Sequence, residues 1–411
     1  MDGVTYIEKF SSPEKLIHQL PDENLGIAVT IPSYREEKIK DAILSLINCD
    51  SPPCGVEVLV LINFPDNLEE PDKELHRKQS KELKIWSKKF DNQNLKIHII
   101  EKELPEKNAG VGLARKLLMD EVVRRFAILD KEGVIASYDA DCTCDKNYLV
   151  ALEIFFANNK SSPGCSIYFE HNLEESPIPS AILEYELYLR YYVQGLRYST
   201  YPHAFHTVGS AMAVRTQSYR MQGGMNMRKA AEDFHFLHKI IPIPGFRNLT
   251  TTRVIPSARI SNRVPFGTGK AMLNWESKNM RFWPACKAET FDLIKDFLEQ
   301  SQSFYKEKIT RNWIEKNISP MFHEFLWKEN FIEEIELIKS NTKSANTFGK
   351  AFLRWFNGLR VLQLTHHLRY NHCGEVPVNE ASLNLLKMME REFSGDNREL
   401  LEYYRVLDKS N

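Results

Sequence analysis

Two aspartates separated by one residue, Asp139 and Asp141, follow the apolar stretch 134–138 (VIASY). The β-branched and aromatic residues of that stretch predict a short buried strand. Two carboxylates placed in this way at the end of a strand can converge on a divalent cation, and oxygen ligands suit Mg²⁺ or Mn²⁺. The alternative is that both are solvated charges ahead of a helix that Asp145 or Asn147 caps. The motif alone leaves both interpretations open.

A second acidic pair, Glu232 and Asp233, opens a predicted helix and follows the glycines Gly223 and Gly224. A carboxylate held at the mouth of a sheet could take a proton from a hydroxyl group. Acidic residues in the first turn of a helix also complement the helix dipole. The sequence does not choose between these two roles.

Basic residues and glycines occur together in two other stretches. Within 107–126, Gly110 and Gly112 precede a helix that carries Arg115, and glycines there let backbone N–H groups approach a phosphate or a sugar. The stretch lacks the third glycine of a dinucleotide-binding motif and the Gly-Lys-Ser/Thr end of a phosphate loop. Within 251–272, basic side chains beside glycines suit a pyrophosphate, or else form a solvated loop. These side chains are Arg253, Arg259, Arg263 and Lys270.

Histidines and cysteines give weaker signals. His203 and His206 are candidates for a second metal site, although a single histidine is more often structural. The stretch 366–373 (HHLRYNHC) resembles a metal cluster only loosely. Cys142 and Cys144 lack the second cysteine pair of a structural zinc site. Seven scattered cysteines without a signal peptide predict reduced thiols in a cytoplasmic protein.

Uninterrupted apolar runs at 25–32, 56–63 and 95–100 predict buried strands of a parallel sheet, and amphipathic helices separate them. Strands that alternate with helices of this length predict a doubly wound α/β sheet. From about residue 283 the pattern becomes a series of amphipathic helices with few strand signals. We therefore predict an α/β domain over residues 1–284 and an all-helical C-terminal region over residues 285–411.

The 411-residue chain has a formal net charge of −1, which gives no bulk attraction to nucleic acid or to an acidic membrane. No apolar run approaches the roughly 20 residues that a membrane-spanning helix needs, and the N-terminus does not resemble a targeting peptide. We expect a cytoplasmic protein without a nucleic-acid partner. Peripheral contact with the inner face of the membrane and homodimerisation are both left open.

Taken in order, the motifs resemble the family 2 glycosyltransferases of the nucleotide-diphospho-sugar transferase (GT-A) superfamily. The resemblance covers residues 25–272 and rests on four motifs. They are TIPSYRE at 30–36, NAGVGLARK at 108–116, DAD at 139–141, and GG at 223–224 followed by AED at 231–233. The resemblance implies a GT-A-like doubly wound mixed sheet. It also implies an enzyme that moves a sugar from a nucleotide-diphospho-sugar to an acceptor hydroxyl.

The resemblance assigns a role to each motif. The residues after the first strand would wrap the nucleotide base and ribose, and they are Pro32, Ser33, Tyr34 and Glu36. Arg115 would lie beside the base or the diphosphate, and Asp139 would reach the ribose or the transferred sugar. Asp141, together with Asp139, would hold Mg²⁺ or Mn²⁺. Asp233, with Glu232 beside it, would be the catalytic base of an inverting transfer by a single displacement.

The chain departs from the family's pattern. Asn63 ends the second strand where the family usually has an aspartate that reads the base. The basic loop from Arg263 to Lys270 is an alternative place for the diphosphate. The Gln-x-x-Arg-Trp motif and the membrane spans of processive synthases are absent, which favours the transfer of one sugar per encounter.

Two other functions fit parts of the pattern. A nucleotidyltransferase that makes a sugar nucleotide would have a similar architecture, but its glycine-rich loop with Arg and Lys is missing after Ile31. A non-catalytic protein that binds sugar nucleotides is disfavoured because Asp139, Asp141 and Asp233 are all present. The sequence does not identify the nucleotide base, the sugar or the acceptor.

Overall fold

The computed structural model describes residues 1–90, 94–263 and 266–410. Within them the chain forms two units. The first contains Met1–Pro177 and Thr207–Leu273, and the second contains Ile178–His206 and Asn274–Ser410. This division differs from the domain boundary predicted after residue 284, because residues 178–206 belong to the second unit.

Strands alternate with helices through the first part of the chain, and helices dominate the rest. The elements of the first part are α1 (Gly3–Phe10), β1 (Leu25–Ser33), α2 (Ile39–Ile47), β2 (Gly55–Pro65), α3 (Glu70–Ser87), β3 (Leu95–Leu104), α4 (Val111–Ile128), β4 (Val134–Ser137), β5 (Thr143–Cys144), α5 (Tyr148–Asn158), β6 (Gly164–Phe169), α6 (Pro179–Tyr198), β7 (Met212–Arg215), α7 (Thr216–Met221), α8 (Glu232–Ile240), β8 (Arg247–Ile255) and α9 (Thr268–Ser277). The rest comprises β9 (Pro284–Cys286), α10 (Glu289–Glu299), α11 (Ser301–Lys306), α12 (Arg311–Asn317), a 3₁₀ turn (Pro320–Phe322), α13 (His323–Lys328), α14 (Phe331–Ser340), α15 (Ala345–Trp355), α16 (Gly358–Leu368), a π-helical turn (Arg369–Cys373), β10 (Glu375–Pro377), α17 (Val378–Met388) and α18 (Asn397–Lys409).

The first unit is built on a mixed sheet of eight strands in the order β3-β2-β1-β4-β7-β6-β8-β5. Strand β1 pairs in parallel with β2 and β4, whereas β7 runs antiparallel to both of its neighbours. The chain moves from β1 to β2 and β3 on one side and then crosses to β4 on the other side of β1. Right-handed crossovers therefore place α2 and α3 on one face of the sheet and α4 on the other. The predicted doubly wound mixed α/β sheet is confirmed.

The apolar runs become parallel strands because both of their faces are covered. Eight of the nine positions of β1 are buried, with no alternation between buried and exposed residues. Thr30 pairs with Ser137, and the N–H group of Tyr138 donates to the Thr30 carbonyl oxygen over 3.0 Å. The carboxyl ends of β1 and β4 thus lie side by side where the strand order reverses. Ligands of open α/β sheets bind at such a reversal of strand order. The motifs at 32–36 and 139–141 lie at the carboxyl ends of these two strands.

Several element boundaries differ from the predictions. The predicted strand 134–138 ends at Ser137. No pattern in the sequence predicts β5, which has two residues and pairs with β8 at the edge of the sheet. A two-residue strand is too short to produce a periodic pattern, so only its tertiary pairing defines it.

The second unit is predominantly helical, as predicted, and it also contains an antiparallel two-stranded ribbon formed by β9 and β10. Phe297 lies at the centre of an aromatic cluster, with ring contacts of 5.1–5.8 Å to Phe304, Phe322, Phe331 and Phe356. Aromatic pairs at these distances add packing energy beyond simple burial. None of the described helices has the length and apolar character that a bilayer crossing requires.

Candidate active site

Arg115, on α4, organises the polar residues at the centre of the first unit. It is 3% exposed. Its Nε donates to Glu232 Oε1 over 2.9 Å, and its Nη2 donates to Asp139 Oδ1 over 2.5 Å. Its Nη1 donates to the Gly209 carbonyl oxygen over 3.0 Å and to the Ser137 hydroxyl. One buried guanidinium therefore ties together the end of β4, the start of α8 and the segment before β7.

The charge of Arg115 is balanced by carboxylates. Burial lowers the pKa of Arg115, but the negative charges of Asp139, Glu232 and Asp233 outweigh burial and raise that pKa above its ordinary value. A buried charge is tolerated when it is paired and its hydrogen bonds are made. Arg115 consequently remains a cation, and it fixes the position of Asp139.

Glu232 and Asp233 begin α8 but have different surroundings. Glu232 is buried and faces Arg115. Asp233 is partly exposed, and its Oδ1 accepts a hydrogen bond of 2.7 Å from the Phe234 N–H group. Gly209 makes room for the cluster, because a Cβ atom there would lie 2.7 Å from Arg115 Nη2 and 2.8 Å from Asp233 Oδ2. Asp233 therefore lies on the same side of the sheet edge as Arg115 and Asp139.

Burial changes the acidity of the two carboxyl groups on α8. Burial raises the pKa of Asp233, the positive charge of Arg115 partly offsets this, and the negative charge of Asp139 raises it further. The pKa of Glu232 is also raised, chiefly by burial. Asp139 acts electrostatically on both Asp233 and Asp141. The two acidic motifs of the sequence thus belong to one electrostatic cluster.

The two glycines at the start of α4 pack closely against residues 228–229 of the same chain. A Cβ atom at Gly112 would clash with the backbone oxygen and nitrogen of Arg228, and one at Gly110 would lie 3.1 Å from Lys229 Cα. The segment before α8 therefore covers the N-terminus of α4. That the two glycines also admit a phosphate or a sugar stays a prediction. Their close packing positions Glu232 and Asp233 beside Arg115.

We expect Gly112→Ala to destabilise the protein by about 1–3 kcal/mol, because the added methyl group must push the Arg228 backbone aside. Gly349 supplies a matched control in the middle of α15, since nothing lies within 4 Å of the Cβ position there. Gly349→Ala should stabilise by about 0.5–1 kcal/mol through helix propensity. Urea denaturation of both variants measures the two effects. Equal and small shifts of the same sign would show that residues 228–229 do not press on α4.

The Asp139–Asp141 motif offers two hard oxygen ligands. Within the described residues, Asp139, Asp141 and Cys142 form one group whose possible ligand atoms lie within 4.8 Å of one another. Burial raises the pKa of the Cys142 thiol well above its ordinary value, so this sulfur stays protonated and is a poor ligand for a hard cation. The two carboxylates are therefore the groups that fit Mg²⁺ or Mn²⁺.

Burial and the neighbouring charge of Asp139 raise the pKa of Asp141 to about 6, although Arg259 opposes this shift. Two carboxylates this close repel each other, and a divalent cation between them would relieve the repulsion. In the structure, Arg259 provides the positive charge instead, with its Nη2 lying 2.8 Å from Asp141 Oδ2.

Glu36, at the exit of β1, is held by the basic loop that follows β8. Arg259 contacts both of its carboxylate oxygens, at 2.7 Å and 2.5 Å, and Arg263 Nη1 lies 3.1 Å from its Oε2. Burial would raise the pKa of Glu36, but hydrogen bonds from Arg259 and from the Lys38 N–H group lower it overall. Arg259 thereby links Glu36 to Asp141. The sequence places Arg259 in a basic loop but does not single it out as a site residue.

The β1 exit also carries an aromatic stack. The ring of Tyr34 lies on His76 with centroids 5.5 Å apart, and His76 lies on Phe64 with centroids 4.9 Å apart. Burial lowers the pKa of His76, and the charge of Arg35 lowers it further, so the stacked imidazole is neutral. Arg263 Nη1 donates to the Tyr34 carbonyl oxygen over 2.9 Å, which fixes the turn below the stack. No pattern in the sequence indicates that His76 belongs to this region.

The remaining predicted residues lie in different environments. Pro32 and Ser33 are buried in β1, and the Ser33 hydroxyl has no hydrogen-bond partner among the described residues. Asn63 is buried near the end of β2. Lys270, on α9, makes no ion pair with any described residue. The structure thus brings Glu36 and Arg263 together at the cluster, whereas the role of Lys270 stays a prediction.

Among the described residues, none of the candidate histidines belongs to a group of three or more potential metal ligands. His206 Nε2 lies 2.8 Å from Asp408 Oδ2, and burial of His203 lowers its pKa. The charges of His206 and buried arginines lower the pKa of Asp408 although burial opposes this, so His206 belongs to a structural network. His366 and His367 line a separate cavity of about 480 Å³ in the second unit, which contains none of the predicted site residues.

Comparison with known proteins gives limited information. No protein-family model matches the chain, and no curated protein matches it significantly. Similar solved structures include residues 1–349 of S. aureus TarS alone, in complex with UDP-GlcNAc and in complex with UDP. Their sequence identities are 14%, 15% and 16%, and their TM-scores are 0.39, 0.40 and 0.38. Each match covers 90% of this chain and 94% of that chain. Similarity this low carries no argument about substrate or activity.

Proposed function

We propose that the protein is a metal-dependent inverting glycosyltransferase that moves a sugar from a nucleotide-diphospho-sugar to an acceptor hydroxyl. The observation that carries the proposal is the convergence of Asp139 and Asp233 on the buried Arg115, next to the paired ends of β1 and β4. This cluster combines the chemical groups that the reaction needs, which are hard oxygen ligands, fixed cations and a proton acceptor.

In this proposal, Asp139 and Asp141 hold Mg²⁺ or Mn²⁺, which when bound neutralises charge that develops on the departing nucleotide diphosphate. Asp141 is anionic above about pH 6, which is the form that binds a cation. Arg259 and Arg263 lie at Glu36 and provide further positive charge on the same side of the sheet. Arginine suits this task because its planar donors match phosphate oxygens.

Asp233 is the proposed general base. The acceptor hydroxyl oxygen attacks the anomeric carbon and gives its proton to Asp233, while the bond from that carbon to the diphosphate oxygen breaks. One displacement inverts the configuration and needs no covalent intermediate. The raised pKa of Asp233 favours catalysis because a base is most effective when its pKa approaches the working pH. Glu232 is occupied by Arg115, so we assign it a positioning role.

The exit of β1 is the proposed binding region for the nucleotide. Tyr34, supported by His76 and Phe64, offers a flat ring on which a base could stack. Pro32 and Ser33 form the buried floor of this region, and Asn63 lies near the end of the adjacent strand. Glu36 orients Arg259 and Arg263, so its proposed role in binding is indirect.

The proposal is tested with a panel of UDP-, GDP- and TDP-sugars in the presence of Mn²⁺ or Mg²⁺. We expect slow release of the nucleotide diphosphate from one class, and Asp141→Asn should reduce that release to its level without metal. Metal-supported binding should weaken about tenfold for each pH unit below about 6, because Asp141 then takes up a proton. Asp145→Asn, four positions further along the chain and beyond β5, is the matched control and should keep metal-dependent release.

Stability gives a second readout that does not depend on activity. The folded protein raises the pKa of Asp141 from 3.8 to about 6, so the metal-free fold binds this proton more tightly than the unfolded chain does. The resulting stabilisation is present below about pH 3.8 and is lost as the pH rises through about 6. We expect Asp141→Asn to remove this part of the pH dependence of Tm. Metal-independent release by Asp141→Asn at the wild-type rate would contradict the proposed metal site.

A further inference from the structure

Two cysteines that are distant in the sequence lie next to each other in the first unit. Cys49 follows the C-terminus of α2, and Cys144 forms part of β5. Their Sγ atoms are 3.7 Å apart, although the residues are 95 positions apart in the chain. Both residues are partly exposed, which places the pair near the surface of the unit. Rotation of the side chains has to close less than about 2 Å to reach disulfide bonding distance.

The surroundings give the two thiols different properties. Hydrogen bonding from Cys49 is the largest cause of the lowered pKa of Cys144, and Ser45 and Tyr138 contribute further hydrogen bonds. The same contact raises the pKa of Cys49. Ser45 Oγ lies 3.6 Å from Cys144 Sγ and 2.9 Å from the Tyr138 hydroxyl. We therefore assign Cys144 as the attacking thiol and Cys49, whose thiol also donates to the Ser45 carbonyl oxygen over 3.3 Å, as its neighbouring thiol.

We propose that Cys49 and Cys144 form a site of reversible oxidation at which a hydroperoxide converts the two thiols into an intramolecular disulfide. The Cys144 thiolate attacks the terminal oxygen of the hydroperoxide, the O–O bond breaks, and the leaving alkoxide or hydroxide takes up a proton. Cys144 becomes a sulfenic acid. Cys49 sulfur then attacks the Cys144 sulfur, the S–O bond breaks, and water leaves with the Cys49 proton. Both sulfurs are oxidised and the peroxide is reduced.

A disulfide between Cys49 and Cys144 would connect two segments that also carry predicted site residues. Cys144 lies three residues after Asp141, and α2 begins three residues after Glu36. The disulfide would thus join the segments that follow the two acidic residues linked by Arg259. Closure of a long loop restricts the unfolded chain, so the oxidised protein should have the higher Tm.

The experiment uses the full chain, reduced and then treated with hydrogen peroxide, followed by thiol blocking, proteolysis and mass spectrometry. We expect a linked peptide pair that contains Cys49 and Cys144, with the mass of two hydrogen atoms lost and restored by dithiothreitol. In Cys49→Ser the oxidation should stop at a sulfenic acid on Cys144, which dimedone traps. Cys144→Ser should leave Cys49 without this reactivity.

Cys54 provides the matched control, because it is also partly exposed in the first unit and burial raises its pKa to about 11. Cys54→Ser should form the Cys49–Cys144 disulfide as readily as the wild type does. Absence of the linked peptide in peroxide-treated wild-type protein would overturn the proposal. Equal dimedone labelling of Cys54 and Cys144 in peroxide-treated Cys49→Ser protein would do so too, because Cys144 would then have no special reactivity.

Discussion

Asp233→Asn is expected to lower the rate of sugar transfer by about 10²–10⁴-fold, which is the usual contribution of a positioned general base. Asparagine has nearly the same shape as aspartate, and its carbonyl oxygen can still accept the hydrogen bond from the Phe234 N–H group. Arg115 keeps its contacts with Glu232 and Asp139. The variant therefore removes the proton acceptor and leaves the cluster assembled.

The measurement separates binding from chemistry. Calorimetry gives the affinity for the nucleotide sugar that the panel identifies, and release of the nucleotide diphosphate gives the rate. We expect the affinity to be retained while the rate falls. Asp130→Asn is the control, because Asp130 is exposed and has a left-handed backbone (φ 50°) that asparagine tolerates well. An undiminished rate in Asp233→Asn would remove Asp233 from the base assignment, and a loss of affinity alone would assign it to binding.

Arg115→Met is expected to destabilise the fold by about 3–5 kcal/mol, because it leaves buried carboxylates without their counter-ion. Glu232 is buried and loses its ion pair, and Asp139 loses a contact of 2.5 Å. Methionine fills much of the volume of the arginine stem, so lost packing accounts for little of the effect. Urea denaturation measures the loss in free energy of unfolding.

A second substitution tests the cause of this loss. In the Arg115→Met background, Glu232→Gln should recover part of the stability, since glutamine is uncharged and costs less to bury. Arg77→Met is the control at the surface, where Arg77 pairs with Glu70 and Glu103, and its effect should be much smaller. If Arg115→Met and Arg77→Met lower the free energy of unfolding equally, charge pairing does not stabilise the buried cluster.

The fold was predictable because its main signals are local. The uninterrupted apolar run of β1 predicts a strand covered on both faces, and Asp139 follows such a strand in the sequence itself. The topology then places the motifs at 32–36 and 139–141 at the carboxyl ends of the adjacent strands β1 and β4. The roles of Asp139, Asp141 and Asp233 remain predictions, but the three carboxylates belong to one electrostatic cluster.

The partners of the charged residues were not predictable, because pairing depends on tertiary structure. Arg259 and Glu36 are 223 positions apart, and no periodic pattern relates them. His206 was considered as a metal ligand, yet it contacts Asp408, 202 positions away. Gly112 has a similar explanation, since a glycine required by the approach of Arg228 looks the same in the sequence as one required by a ligand. A glycine can therefore indicate that another group packs closely against the backbone, but the sequence does not show whether that group is part of the protein or a ligand.

The contact between Arg259 and Asp141 has a consequence for the order of events in the proposed reaction. The resting protein carries its own counter-charge at the aspartate, so a free ion has to displace a guanidinium before it can bind. An ion that arrives already chelated by a diphosphate brings a replacement partner for that guanidinium. In the proposed reaction, the ion and the nucleotide sugar would therefore bind as one complex, and Arg259 would contact Asp141 again once they had left.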